Sequence, residues 1–176
     1  MLVVIGHGPS IVGKRLGSWI DQQTVVRLKQ APRDNSDDWG RRIDYSCASS
    51  PLWENEAPIH WVLPNVAYPG ARKGYQGDYY ESTERVKVSD GRWHEYFRGF
   101  NPKYKMSTGL RAIFCAAEFL QPEEIGLVGC DNLLRPHIKG LTKWNQEPGR
   151  YPNYHDYEAE HRAIMALGIR IKDCCG

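Results

Sequence analysis

Long apolar runs are what this 176-residue chain lacks most clearly. A membrane-spanning helix needs about 20 consecutive apolar residues, and none of its runs comes near that. The first run, residues 2–5, is also too short for the apolar centre of a secretion signal, so a cytosolic (cytoplasmic) protein is expected. Charge of one sign is scarce too: a net charge of +2 makes no electrostatic case for a nucleic-acid binder. Cysteine is present but unpatterned. Cys47, Cys115, Cys130, Cys174 and Cys175 make an odd number without metal-ligand spacing, so reduced structural thiols are expected and a zinc site is not. Asp-x-Asp occurs nowhere, which removes the usual metal-diphosphate clamp, and there is no Gly-x-Ser-x-Gly elbow. Internal repeats, linkers and low-complexity tracts are missing as well, so residues 1–176 are expected to form one domain.

What is present begins with Leu2-Val3-Val4-Ile5-Gly6-His7-Gly8-Pro9-Ser10. A short apolar run ending in Gly-x-Gly predicts a buried parallel strand, a tight turn and a helix starting near Ser10. The two glycines would leave backbone N–H groups open to a ligand, and the amino end of the helix would suit a phosphate. Leu16 and Ile20, four apart, place an amphipathic helix over 11–20, and the β-branched residues 24–28 form a second strand. Strand–helix–strand in so few residues implies a parallel sheet. A loop over 33–38, a third strand near 43–47 and a fourth over 59–63 follow, while 68–99 reads as a surface excursion. Ser107 or Thr108 caps a helix with apolar residues at 110, 113, 114, 117 and 120, ended by Pro122. Residues 125–129 are another buried strand with Asp131 beyond its end, and a polar loop runs over 132–153. A helix opening at Tyr154, with Ala159, Ala163, Ile164 and Leu167 on its core face, and a last strand over 169–171 complete the chain.

In open α/β sheets ligands gather beyond the carboxyl ends of the strands. Residues 6–10, Lys29, 107–109 and Asp131 share that edge in this reading. The near-match Gly8-Pro9-Ser10-Ile11-Val12-Gly13-Lys14-Arg15 fails as a P-loop, because Arg15 stands where the magnesium-binding hydroxyl belongs and Pro9 removes an N–H. A Rossmann fingerprint fails on the spacing of its third glycine. Of six histidines, His60 reads as structural, and His94, His137 and His161 as surface or loop residues. His155 differs: it stands at a helix start beside tyrosines and carboxylates, where an imidazole can be tuned as a general base.

Three stretches, in order, resemble the sialyltransferases of the animal-type family and their bacterial relatives. Val3 to Ser10, with Leu16-Gly17, Ile20-Asp21, residues 25–28, Ala31-Pro32 and residues 38–42, resembles the family's long, donor-binding motif. Ser107-Thr108-Gly109, with the helix and strand after it, resembles the short motif, and His155 with Glu160 the very short one. The resemblance implies an α/β, Rossmann-like single domain: a mostly parallel sheet with helices on both faces. It implies a metal-independent, inverting transfer of sialic acid or a related sugar from a nucleotide-sugar donor to an acceptor hydroxyl, with no cofactor and no metal. His155 would be the base. Gly6, His7, Gly8, Pro9, Ser10, Arg27, Lys29, Ser107, Thr108 and Gly109 would hold the donor, and Tyr151 or Tyr154 would meet the departing phosphate. Five residues turn a helix by about 500°, so Glu160 does not share a face with His155 and reads as a structural tether.

The chain departs from the family where His7 and Lys29 stand in place of asparagines that touch the donor nucleotide, a change that would favour a diphosphate. The cysteine pair and membrane anchor of secretory members are missing, in keeping with a cytosolic, prokaryotic or viral (bacteriophage) setting. A homo-oligomer that completes a short acceptor side is compatible with the length. Two other readings stand beside this one. The chain could bind a nucleotide or nucleotide sugar without turning it over. It could also glycosylate a modified nucleobase or nucleic acid, for which the Arg/Lys-rich residues 68–105 are the hint.

Overall fold

Val3, Val4 and Ile5 have no exposed surface, and the strand they form lies inside a sheet that flanks it on both sides. The computed structural model describes residues 1–28, 35–48, 57–63, 83–89, 92–102, 105–134 and 155–176. Strand β1 (Leu2–Ile5) pairs in parallel with β2 (Thr24–Leu28) and with β6 (Glu124–Val128). Beyond β2 lie β3 (Tyr45–Ala48), β4 (Ile59–Val62) and β5 (Val86–Val88); beyond β6 lies β7 (Arg170–Asp173). The order is β5-β4-β3-β2-β1-β6-β7, and every neighbouring pair is parallel. Strand order reverses between β1 and β6, so the topological switch point lies there.

Alternation along the strands feeds two cores. Leu2, Val4, Val26, Leu28, Cys47 and Trp61 face α4 (Thr108–Phe119) and α6 (Tyr157–Met165), together with α3 (Arg92–Arg98). Val3, Ile5 and Val25 face Ile11, Ile20 and Trp39, carried by a 3₁₀ turn (Pro9–Ile11), α1 (Gly17–Ile20) and α2 (Ser36–Trp39). Helices therefore cover both faces, as expected. Helices of four residues are far below the roughly 12 that hold alone in water. Burying Ile20 and Trp39, at about 1.5–3 kcal/mol each, is what keeps α1 and α2 in place.

Several boundaries differ from expectation. No helix spans 11–20: Gly13 and Arg15 both take positive φ (79° and 53°), breaking the segment into the 3₁₀ turn and α1. Asp38 accepts the N–H groups of Gly13 and Arg15, which holds its carboxyl below the usual range and pins that break. Asp38 belongs to α2 rather than to a loop over 33–38, because Asn35 caps the helix by accepting the Asp38 N–H. The segment read as a surface excursion contains β5 and α3. Its Trp93 stacks on Phe114, and His94, expected at the surface, is buried. A short α5 (Asp131–Leu134) opens the stretch read as a polar loop. The last helix starts at Tyr157, not Tyr154, since Asp156 caps it by accepting the Ala159 N–H. All five cysteines are unbridged. Among the described residues no helix is long and apolar enough to cross a membrane.

Candidate active site

The carboxyl ends of β1, β2 and β6 meet the start of α4, and the predicted site residues divide there. The turn after β1 is occupied by protein. Gly6 N–H donates to the Val128 carbonyl (2.8 Å), Gly8 N–H to the Gly129 carbonyl (2.7 Å) and Ser10 N–H to Asp131 Oδ2 (3.2 Å). A Cβ on Gly6 would lie 2.4 Å from the Gly129 oxygen, and one on Gly8 would lie 2.4 Å from Asp131 Oδ2. Both glycines are thus required by loop-to-loop contact. The expectation of a helix near Ser10 aiming open N–H groups at a phosphate is overturned: a single 3₁₀ turn stands there, and a carboxylate already holds the Ser10 N–H. His7 is exposed at the rim. Its Nε2 lies 3.0 Å from the Leu28 carbonyl, which can only accept, so Nε2 carries the hydrogen and Nδ1 the lone pair of the neutral ring.

Arg27 is not brought to this group. Its residue position puts it on the α2 face of the sheet, where it is buried and donates through Nε to the Arg42 carbonyl and through a terminal nitrogen to the Trp39 carbonyl (both 2.9 Å). It ties β2 to the end of α2 and to the segment that follows it. Lys29, Tyr151 and Tyr154 lie outside the described residues.

A second cluster joins α4 to α6. Ser107, extended at φ −66° and ψ 162°, caps α4 by accepting the Leu110 N–H at Oγ. Its own N–H donates to Glu160 Oε1 and its hydroxyl to Oε2, both at 2.6 Å. Glu160 is completely buried. Burial pushes its pKa up to about 8, opposed by the Ser107 hydrogen bonds and the Arg111 charge. Both oxygens accept hydrogen bonds from Ser107, which favours the ionised form, and burial, which favours the neutral one, outweighs them. Arg111 itself is buried, donating to the carbonyls of Met106 (3.2 Å) and Leu63.

His155 stands one residue ahead of the α6 cap, and its side chain is 23% exposed. Nδ1 lies 2.6 Å from the Lys105 carbonyl, so Nδ1 carries the hydrogen and Nε2 is the basic nitrogen. The same Nδ1 is 3.7 Å from Glu160 Oε1. The expectation that the two residues are turned apart is therefore corrected. It placed both on the helix, whereas His155 precedes it and is free of the 100° step. Asn101 fixes the entry by donating to the capping Asp156, and the Tyr157 ring lies 5.8 Å from the imidazole.

Thr108 and Gly109 open α4, and the first N–H groups of a helix have no acceptor within it. No other hydrogen bond to these two N–H groups occurs among the described residues. A Cβ on Gly109 would sit 2.7 Å from Leu133 Cδ1 and 3.7 Å from Leu28 Cδ1, which locates this helix start against the ends of β2 and α5. Asp131 was placed at the ligand edge from the sequence, whereas Arg111 and Lys105 were not singled out as site residues. Only Arg111 left a signal, a cation beside the apolar positions 110, 113 and 114; the Lys105 contribution is a carbonyl, which no side chain advertises.

No protein-family model matches the chain, and no curated protein sequence is similar to it. Solved structures are. A mammalian sialyltransferase matches with a TM-score of 0.61 at 16% identity, over 99% of this chain and 68% of that one. A mammalian sialyltransferase in complex with Gal-β1-3GalNAc-ortho-nitrophenol matches with a TM-score of 0.59 at 16% identity, over 99% and 69%. The chain has a sialyltransferase-like α/β fold.

Proposed function

We propose that the protein is a glycosyltransferase that moves a sugar, sialic acid or a related one, from a nucleotide-sugar donor to an acceptor hydroxyl, with inversion and without a metal. One observation carries the reading. His155 is held through Nδ1 by a carbonyl, which puts the ring lone pair on Nε2, and a buried carboxylate lies 3.7 Å from Nδ1. In this reaction Nε2 takes the proton of the acceptor hydroxyl as its oxygen bonds to the anomeric carbon. The anomeric carbon–oxygen bond to the nucleotide phosphate breaks on the opposite face, and the electron pair leaves with the phosphate. The proton ends on His155, where the Lys105 carbonyl and the Glu160 carboxylate stabilise the imidazolium. A general base of this kind contributes about 10²–10⁴-fold.

The Thr108 and Gly109 N–H groups, at the positive end of a twelve-residue helix, are the donors we assign to the leaving phosphate. The acceptor class is a saccharide hydroxyl, by analogy with the disaccharide-derived ligand of the mammalian structure. The test is turnover of a panel of nucleotide sugars, each with a β-galactoside acceptor. With the best donor, His155→Ala should lower kcat about 10²–10⁴-fold and leave nucleotide binding within twofold. Binding without turnover in the wild type would replace this reading with that of a non-catalytic nucleotide-sugar binder.

A further inference from the structure

The switch point between β1 and β6 is where an open parallel sheet ordinarily leaves a crevice for its ligand. Here three hydrogen bonds run from the β1 turn to the β6 turn, and the third ends on Asp131. Asp131 is 5% exposed. Its Oδ2 takes the Ser10 N–H, while Oδ1 has no hydrogen-bond partner among the described residues and is not sealed from solvent. A carboxylate placed there makes two demands. It repels a phosphate from the β1 turn, whose N–H groups at Gly6, Gly8 and Ser10 are already used and whose Pro9 has none. It also accepts only, so the part of a ligand that meets Oδ1 must bring a hydrogen.

We infer that Asp131 Oδ1 accepts a hydroxyl of the donor's ribose, so that the nucleoside lies over the β1–β6 crevice and its phosphate is directed away from residues 6–10. The inference rests on the proposed nucleotide-sugar reading and deepens it. The geometry agrees with a phosphate at the start of α4, since Leu133 of α5, two residues beyond Asp131, is the side chain closest to Gly109. The carboxylate cannot be exchanged for a neutral apolar group without freeing the Ser10 N–H, whereas Asp131→Asn keeps an acceptor for it and replaces the charge-assisted hydrogen bond to the ribose by a weaker neutral one from its NH₂.

The experiment compares each of the four common ribonucleoside 5′-monophosphates with its 2′,3′-dideoxy analogue, by calorimetric titration of wild type and Asp131→Asn. For whichever base binds, the wild type should bind the ribonucleotide at least tenfold more tightly than the dideoxy form, and Asp131→Asn should reduce that ratio to below threefold. Equal binding of the two forms by wild type would overturn the inference while leaving nucleotide binding in place. So would a ratio that survives in Asp131→Asn, or a loss in the variant that follows the base and not the sugar. If no ribonucleotide binds the wild type, the nucleotide-sugar reading falls and this inference with it.

Discussion

Replacing Glu160 by Gln separates two jobs that one carboxylate performs. The amide oxygen can still accept the Ser107 N–H, and its NH₂ can donate to Ser107 Oγ, so the α4–α6 link survives. What is lost is the charge 3.7 Å from His155 Nδ1. At an effective dielectric of 20, a unit pair at that distance is worth roughly 4 kcal/mol. Three features reduce it: the 23% exposure of His155, the Arg111 charge near Glu160, and the raised pKa that leaves Glu160 largely protonated near neutrality until the imidazolium forms beside it. About 1.5–2.5 kcal/mol remains for stabilising the imidazolium, or roughly 10–70-fold in kcat. The assay is kcat and kcat/KM against pH with the best donor. Wild type and Glu160→Gln should melt within a few degrees of each other, kcat should fall by that factor, and the acid limb of kcat/KM should move to lower pH. Unchanged kcat with an unmoved acid limb would refute the coupling and leave Glu160 a tether alone.

Glu160 also predicts a stability profile. Its folded pKa, about 8, is raised above the ordinary 4.5. Its contribution is therefore complete below pH 4.5 and is lost as pH rises through 8, by at most about 5 kcal/mol; urea unfolding across that range should show the decline, and Glu160→Gln should flatten it. Gly8→Ala drives a methyl group into the Asp131 carboxylate and the Gly129 carbonyl. It should destabilise by about 1–3 kcal/mol in the same measurement, whereas an open turn serving a ligand would tolerate it. Arg27→Met strands the Trp39 and Arg42 carbonyls. It should cost about 2–4 kcal/mol of stability with the donor KM unchanged; a raised KM without destabilisation would restore Arg27 to the donor site.

The strongly patterned parts of the chain were legible in advance for reasons visible in their composition. Residues 2–5 are apolar on both faces, and 24–28 are so apart from Thr24 and Arg27, because a central parallel strand is covered on both. The α4 helix was legible from its Ser107 cap and its apolar spacing. The segments that failed have weak local preference. The 3₁₀ turn, α1 and α2 are too short to hold themselves, and β5 is three residues long. Each exists because the sheet buries one of its faces or extends by one more strand. Residues 11–16 were misread for a related cause: Arg15 sits at positive φ because Asp38, more than twenty residues away, accepts its N–H.

The candidate site divides along the same line. The sequence by itself determined the residue types: an imidazole five positions before a carboxylate, a Ser-Thr-Gly helix start, and glycines after the first strand. Those follow from local chemistry and spacing. Only the tertiary structure decided how they are used, because each decisive partner is remote in the chain and several are backbone atoms. Ser107 and Glu160 meet across α4 and α6, Lys105 lends a carbonyl that selects the basic nitrogen of His155, and Asp131 closes the turn at Gly8. Hydrogen-bond direction and burial set those roles, and neither is a property of one residue until the chain has folded around it.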